Sequence, residues 1–266
     1  MADMTRTTDS PTPDLRFVPL AGTHNFRKVA YWRTPSAGQL KPGVLYRSSG
    51  LEELTADDGA MLAPLGIGRV VDLRSEAECR AHPSRWHSQS PSIWTGARCA
   101  AAANLATLIQ GPPLSLEDLE AELIAVYRAF PMDLAAALQE SVAALEAGDQ
   151  ALLVHCAAGK DRTGFIIAML LRALGIREED VLADYLMTNA CFEAACARFQ
   201  EREHIARLEA RTPGATRLLL GARASLLQAS DDVILEGWGS IDAYLQDMAG
   251  LNQDRRQALV ARMITF

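Results

Sequence analysis

Short unbroken apolar runs, each bounded by turn-forming residues, mark where this chain is expected to build strands: Val44–Arg47, Arg69–Leu73, Ile93–Ala97 and Ala151–His155, with an additional strand near Phe17–Leu20. Between and after them the chain reads as helix. Thr55 followed by Asp58, and Ser115 followed by Asp118, have the spacing in which a hydroxyl caps a first turn, which predicts helices over about 56–64 and 116–129. Pro131 suits a first helical turn and Gly148 a stop, so a further helix is expected from Pro131 to Ala147. Phe165–Leu171 is apolar on every side and predicts a buried helix, while Asp184–Ala210 reads as one long helical run charged on part of its surface. The implied fold class is α/β, a short and mostly parallel central sheet flanked by helices.

Length and charge narrow the picture. At 266 residues the chain can bury one large core, and residues 16–266 are expected to form a single domain behind a tail, 1–15, whose Thr, Asp and Pro content predicts disorder. A formal net charge of −7 gives no general attraction to nucleic acid or to an anionic membrane surface, so no nucleic-acid partner is expected. Stable membrane insertion is not expected either, because the longest apolar run, Phe165–Leu171, ends at Arg172 and is too short to span a bilayer. Five cysteines without paired spacing point to reduced thiols and a cytoplasmic location, non-classical export aside. Oligomeric state is not legible.

The chemistry concentrates in His155-Cys156-Ala157-Ala158-Gly159-Lys160-Asp161-Arg162-Thr163-Gly164, which joins the Ala151–His155 strand to the Phe165–Leu171 helix. Backbone amides of a tight loop opening a helix point one way and form a pocket matched to a phosphate dianion. Ala157, Ala158 and Gly159 leave those amides uncovered, and Gly159 permits a positive φ where the loop must turn. The same field favours thiolate over thiol, which makes Cys156 the expected nucleophile. Arg162, six residues on, is expected to curl its planar fork over the anion and bridge two oxygens of a transferring phosphoryl group. The Thr163 hydroxyl is expected to reach the cysteine sulfur, and His155 to order the loop through its ring nitrogens.

These residues resemble the active-site motif of the cysteine-based protein tyrosine phosphatase superfamily, His-Cys, five residues, then Arg and Ser or Thr. The inner Gly159–Thr163 string is similar to a bacterial branch that includes mycobacterial members and phosphoinositide phosphatases. Asn25-Phe26-Arg27, Leu45–Ser49, Val71–Ser75, Gly239-Ser240-Ile241 and Tyr244-Leu245 extend the resemblance over most of residues 20–248. Lys28, where that branch usually has Asp, and Val29-Ala30, where it often has a Gly pair, depart from the pattern. The resemblance implies a cofactor-free, metal-independent phosphomonoester phosphatase acting on phosphotyrosine, phosphoserine or phosphothreonine, or phosphoinositides. Residues 98–130 and 185–228 exceed a minimal phosphatase and are expected either to form a helical lid over the loop or to pack as ordinary extra helices.

In the wider superfamily an Asp on a separate loop protonates the leaving group. Between Arg85 and Glu117 this chain has no Asp or Glu, so the acid either comes from elsewhere or is dispensable. The resemblance to lipid phosphatases that carry Asp at the matching position implies Asp161, inside the loop, as the acid, the alternative being that Asp161 only pairs with a loop cation. Asp72 is the runner-up, though Asp72 and Arg74 are more readily read as buried supports of the loop. Lys160 is expected either to add a second phosphate-binding cation, suited to a phosphoinositide, or to be a solvated lysine. Two other classes compete: a catalytically idle phosphoinositide-binding module, which should lack the nucleophile or the arginine, and a rhodanese- or arsenate-reductase-like thiol enzyme, which should carry suitably placed resolving thiols. Gly66-Ile67-Gly68 precedes a strand instead of following one, and Cys79, His82 and His87 fit no standard zinc spacing, so neither supports a dinucleotide or a metal.

Overall fold

The computed structural model describes residues 14–266 except 88–89, 98, 101–102, 104–106, 108, 112–113 and 201–202. Among them a five-stranded sheet runs in the order β1 (Arg27–Lys28), β3 (Leu45–Ser48), β6 (Ala151–His155), β4 (Ile67–Asp72), β5 (Ser92–Thr95). Only the short edge strand β1 is antiparallel to its neighbour. The remaining strands, β2 (Gln39–Leu40) and β7 (Ile264–Thr265), pair with each other and tie the C-terminus to the early chain. The fold is therefore the expected mixed α/β arrangement, with the parallel strands close to their expected positions.

Both faces of the central strand are buried, and its side chains alternate between them. Leu152 and Val154 join a large apolar cluster with the helices that follow, while Ala151 and Leu153 join a smaller one with Phe26, Leu51, Leu54 and Leu62. Register then places the site. Ser48 pairs with His155, and Asp72 pairs with the same His155, so β3, β6 and β4 end together at one edge, where Cys156 follows.

The helices correct several expectations. α1 (Ala56–Leu62) and α2 (Glu76–Ala81) each begin with a reciprocal capping box, from Thr55 with Asp58 and from Ser75 with Glu78. α3 spans Leu116–Asp133 with its cap at Ser115, and Pro131 lies inside it; the next helix, α4 (Ala135–Ala147), starts after Leu134. Proline at 131 has no N–H for the Tyr127 carbonyl four residues back, and the Ser230 hydroxyl donates to that carbonyl instead, at 2.7 Å. The replacement bond lets the helix run on for another two residues.

α5 (Asp161–Ala173) is the buried central helix, longer than the expected Phe165–Leu171 by Asp161–Gly164 at its start and by Arg172 and Ala173 at its end. The run expected to be one long helix from Asp184 is a chain of shorter ones: α6 (Glu178–Leu186), a 3₁₀ stretch at Met187–Cys191, α7 (Phe192–Gln200), α8 (Glu203–Arg211) and α9 (Ala215–Leu220). α10 (Ala224–Trp238), α11 (Ile241–Ala249) and α12 (Gln253–Met263) complete the order. Near Phe17–Leu20 the expected strand reduces to an isolated bridge between Phe17 and Arg27. The expected tail lies outside the described residues except for Asp14 and Leu15. No helix of the described residues is long and apolar enough to cross a membrane.

Candidate active site

The loop leaving β6 owes its shape to residues far away in the chain. Gly159 has φ of 66°, and a Cβ there would sit 2.4 Å from the Ser48 carbonyl oxygen, so both conformation and space demand glycine. The Gly159 carbonyl accepts from Asn25 Nδ2 at 2.9 Å and Arg47 Nη2 at 2.8 Å, and the Ala157 carbonyl accepts from the Gly50 N–H at 3.0 Å. In a trans peptide the C=O and the following N–H point opposite ways. Drawing these two carbonyls outward therefore turns the Ala158 and Lys160 N–H groups toward the centre of the loop, where an oxyanion can be held.

Behind this clamp lies a buried charge cluster. Arg47 Nη1 pairs with Asp184 Oδ2 at 2.5 Å, Arg27 Nε lies 3.6 Å from Asp184 Oδ1, and Arg27 Nη2 donates to the Asp184 carbonyl at 2.7 Å. Burial alone would raise the Asp184 pKa, but the two guanidiniums hold it below the usual carboxylate range. Removing one partner of such a buried set typically costs about 3–5 kcal/mol, so the support behind the loop is stiff.

Arg162 is held by an acid that sequence reasoning missed. Its Nη1 donates to the Leu73 carbonyl at 3.0 Å and to Glu78 Oε2 at 2.8 Å, and its Nη2 to Glu78 Oε1 at 2.9 Å. Glu78 does this while capping α2, since its Oε2 also accepts the Ser75 N–H at 2.7 Å. The Ser-x-x-Glu spacing after a strand was visible in the sequence as a capping box; its partnership with Arg162, 84 positions on, was not. Guanidinium carries five N–H donors. Among the described residues no partner takes Nε–H or the second Nη2–H, which share one edge of the fork and match two oxygens of a phosphoryl group.

Burial would raise the Glu78 pKa, yet the hydrogen bonds and charge of Arg162, with Ser75, draw it down to about 2. A carboxylate whose folded value lies below its ordinary 4.5 adds stability above that value and loses it as pH falls toward 2. Glu78→Gln should accordingly melt below the parent at neutral pH, with the gap between the two Tm curves closing from about pH 4.5 down to pH 2. A gap independent of pH would show that the ion pair contributes nothing.

Cys156, 2% exposed, forms part of the floor of a cavity of about 550 Å³ together with Ala157, Ala158, Asp161 and Arg162. Ser75, Ala77, Glu78, Ala81 and His82 line one side. Helices from both expected lid segments contribute the rest: Leu123, Val126 and Phe130 of α3, Phe199 of α7, and Leu219 and Leu220 of α9, beside Ala97, Cys99 and Ala103. Several residues between 98 and 113 lie outside the described set.

The other expected site residues fall into place less uniformly. Asp161 lines the cavity and its Oδ1 accepts from the Tyr127 hydroxyl at 2.7 Å. Lys160 is neither a solvated lysine nor a cation facing the cavity. Its side chain is 1% exposed, and its ammonium meets the Leu219 carbonyl, the Gly221 carbonyl at 3.3 Å and Asp161 Oδ1 at 3.1 Å, fastening α9 to the loop. Asp72 is not among the residues lining the cavity. It is gripped by Arg74 through Nε at 3.0 Å and Nη2 at 2.7 Å, and it lies 3.5 Å from His155 Nε2. His155 is fully buried, its pKa lowered by burial against the opposing charge of Asp72. The Thr163 hydroxyl is buried in the first turn of α5 and finds no hydrogen-bond partner among the described residues, the cysteine sulfur included.

Residues 18–265 match the profile of the tyrosine phosphatase family. The chain belongs to that family. It is 33% identical to the triple specificity protein phosphatase PtpB of Mycobacterium tuberculosis over 268 residues, covering 88% of this chain and 94% of PtpB. A Cupriavidus necator protein carrying the name tyrosine-protein phosphatase is 35% identical over 215 residues, 79% of this chain and 75% of its own. The crystal structure of Pseudomonas aeruginosa TpbA with phosphotyrosine, its cysteine 132 replaced by serine, aligns over 76% of this chain and 94% of its own at 19% identity and a TM-score of 0.31. The family member described here is thus a phosphatase, and its cavity joins the family's motif to walls supplied by α3, α7 and α9.

Proposed function

We propose that this phosphatase hydrolyses phosphotyrosine through a phosphocysteine intermediate, with Asp161 as acid and then base. The observation that carries the reading is the convergence of Cys156, Asp161 and Arg162 on one cavity, with an edge of the Arg162 fork left to an anion. The Cys156 sulfur attacks phosphorus and forms an S–P bond while the P–O bond to the leaving group breaks, and Asp161 donates its proton to the departing oxygen. The Arg162 edge and the inward amides hold the equatorial oxygens, where the loose transition state spreads its charge. Asp161, now ionised, takes a proton from water as the water attacks phosphorus. The S–P bond breaks, the sulfur anion returns and inorganic phosphate leaves.

Wall chemistry favours an aryl phosphate over a phosphoinositide. Leu123, Val126, Phe130, Phe199, Leu219 and Leu220 suit an aromatic ring, and among the described lining residues Arg162 is the sole lysine or arginine. A multiply phosphorylated headgroup would want further cations, and the Lys160 ammonium is engaged by backbone carbonyls instead. The test sets phosphotyrosine peptides against phosphoinositides, with Asp161→Asn beside the parent. Phosphotyrosine turnover should exceed phosphoinositide turnover, and Asp161→Asn should lower it by roughly 10²–10⁴-fold, the usual share of a general acid. Equal turnover on both substrates would sink the substrate assignment, and full activity in Asp161→Asn would remove that residue from the chemistry.

A further inference from the structure

The Asp161 carboxyl does not stand alone against the cavity. Behind it lies a line of two phenols: Tyr127 of α3 donates to Asp161 Oδ1 at 2.7 Å, and Tyr185 of α6 lies 2.7 Å from the Tyr127 hydroxyl. Both side chains are fully buried. Gly164 makes the approach of Tyr185 possible, because a Cβ there would meet its ring at 2.7 Å. Burial, with the neighbouring Asp161 charge, pushes both phenols well above their ordinary range, so both keep their protons.

Each phenol has one proton to give. Tyr127 spends its proton on Asp161, so its oxygen must accept from Tyr185, and the line has one direction: Tyr185 to Tyr127 to Asp161. Bonds in such a chain polarise one another. Asp161 Oδ1 also faces the Lys160 ammonium at 3.1 Å. Two donors therefore crowd Oδ1, and a proton placed there would have to displace one of them. A carboxyl torsion is otherwise broad and soft, so with the Lys160 ammonium as its one remaining partner among the described residues the carboxyl could turn either oxygen toward the substrate.

Resting on the reading of Asp161 as general acid, we propose that Tyr127, backed by Tyr185, is a positioning residue that locks the Asp161 carboxyl so that Oδ2 carries the transferable proton. Oδ2 then gives its proton to the leaving oxygen and takes one back from water, while Oδ1 stays pinned throughout the cycle. Tyr127 touches neither substrate nor phosphorus.

The experiment measures kcat/KM of Tyr127→Phe on aryl phosphates of graded leaving-group acidity, from phenyl phosphate to 2,4-dinitrophenyl phosphate, alone and combined with Asp161→Asn. A misoriented acid matters most where the leaving oxygen needs a proton, so the loss should reach roughly tenfold or more for phenyl phosphate and fall to near none for the dinitrophenyl ester. In the Asp161→Asn background Tyr127→Phe should then change phenyl phosphate hydrolysis by less than about twofold, since the two act as a unit. Tyr185→Phe, which keeps the inner contact, should give the same graded pattern at smaller amplitude and carries the test if Tyr127→Phe does not fold. A uniform loss across leaving groups from the tyrosine variants, beside a graded loss from Asp161→Asn, would overturn the Tyr127 role alone. A flat leaving-group profile for Asp161→Asn itself would overturn the acid assignment and the Tyr127 role with it.

Discussion

Cys156→Ser should abolish turnover of para-nitrophenyl phosphate, by roughly 10⁴-fold or more, because a serine hydroxyl ionises far less readily than a thiol and Asp161, holding its proton for the leaving group, does not serve it as a base. The substitution is nearly isosteric and sits on the cavity floor, so the fold and the oxyanion contacts should survive it. The expected variant is thus a folded protein that binds phosphotyrosine without cleaving it. Two measurements check this: hydrolysis in the presence of a chelator, where the parent should stay fully active, and thermal melting with and without a phosphotyrosine peptide. Substantial residual hydrolysis in the serine variant would mean that another group attacks phosphorus. It would also revive the competing readings in which Cys156 serves binding or a different thiol chemistry.

Arg162→Lys should be almost as damaging despite conserving charge. A lysine ammonium reaches the anion as a point, whereas the fork satisfies Glu78 along one edge and offers the edge beside it to the phosphoryl oxygens. Comparable transition-state arginines are worth roughly 10³–10⁵ in kcat, and a loss of that order is expected here. Melting should fall as well, since Glu78 loses its two-point partner in a partly buried setting. A drop in kcat/KM of less than about tenfold would show that the loop amides alone carry the charge, and the donor-edge argument would fail.

How much of this was legible beforehand depended on distance along the chain. The candidate loop could be read because its proposed nucleophile, amides, acid and arginine are contiguous, and Gly159 marked the turn. Caps at Thr55 and Ser115 announced their helices because a capping hydroxyl acts on an amide three residues away. Pro131 misled for the opposite reason: the hydroxyl that lets α3 continue past it belongs to Ser230, 103 positions from the carbonyl it satisfies. The same held for Asn25, Arg47, Glu78 and Tyr127, whose chemistry-bearing contacts reach across 134, 112, 84 and 34 positions. Asn25-Phe26-Arg27 and Leu45–Ser49 stood out as stretches of resemblance, but nothing local assigned them a task. Lys160 was misread because its neighbours in sequence are polar loop residues, while its neighbours in space are the carbonyls that end α9.

The outward-drawn Gly159 carbonyl has a consequence for what the loop is. Ten residues with a recognisable pattern look like a portable module, yet the peptide planes that make them receptive are oriented from Asn25 near the start of the chain and Arg47 on a neighbouring strand. Excised, the same ten residues would lose the pull that aims their amides and would be an ordinary flexible peptide with a cysteine in it. The affinity for phosphate proposed for this loop would thus be a property of the assembled sheet, won and lost with tertiary structure as a whole.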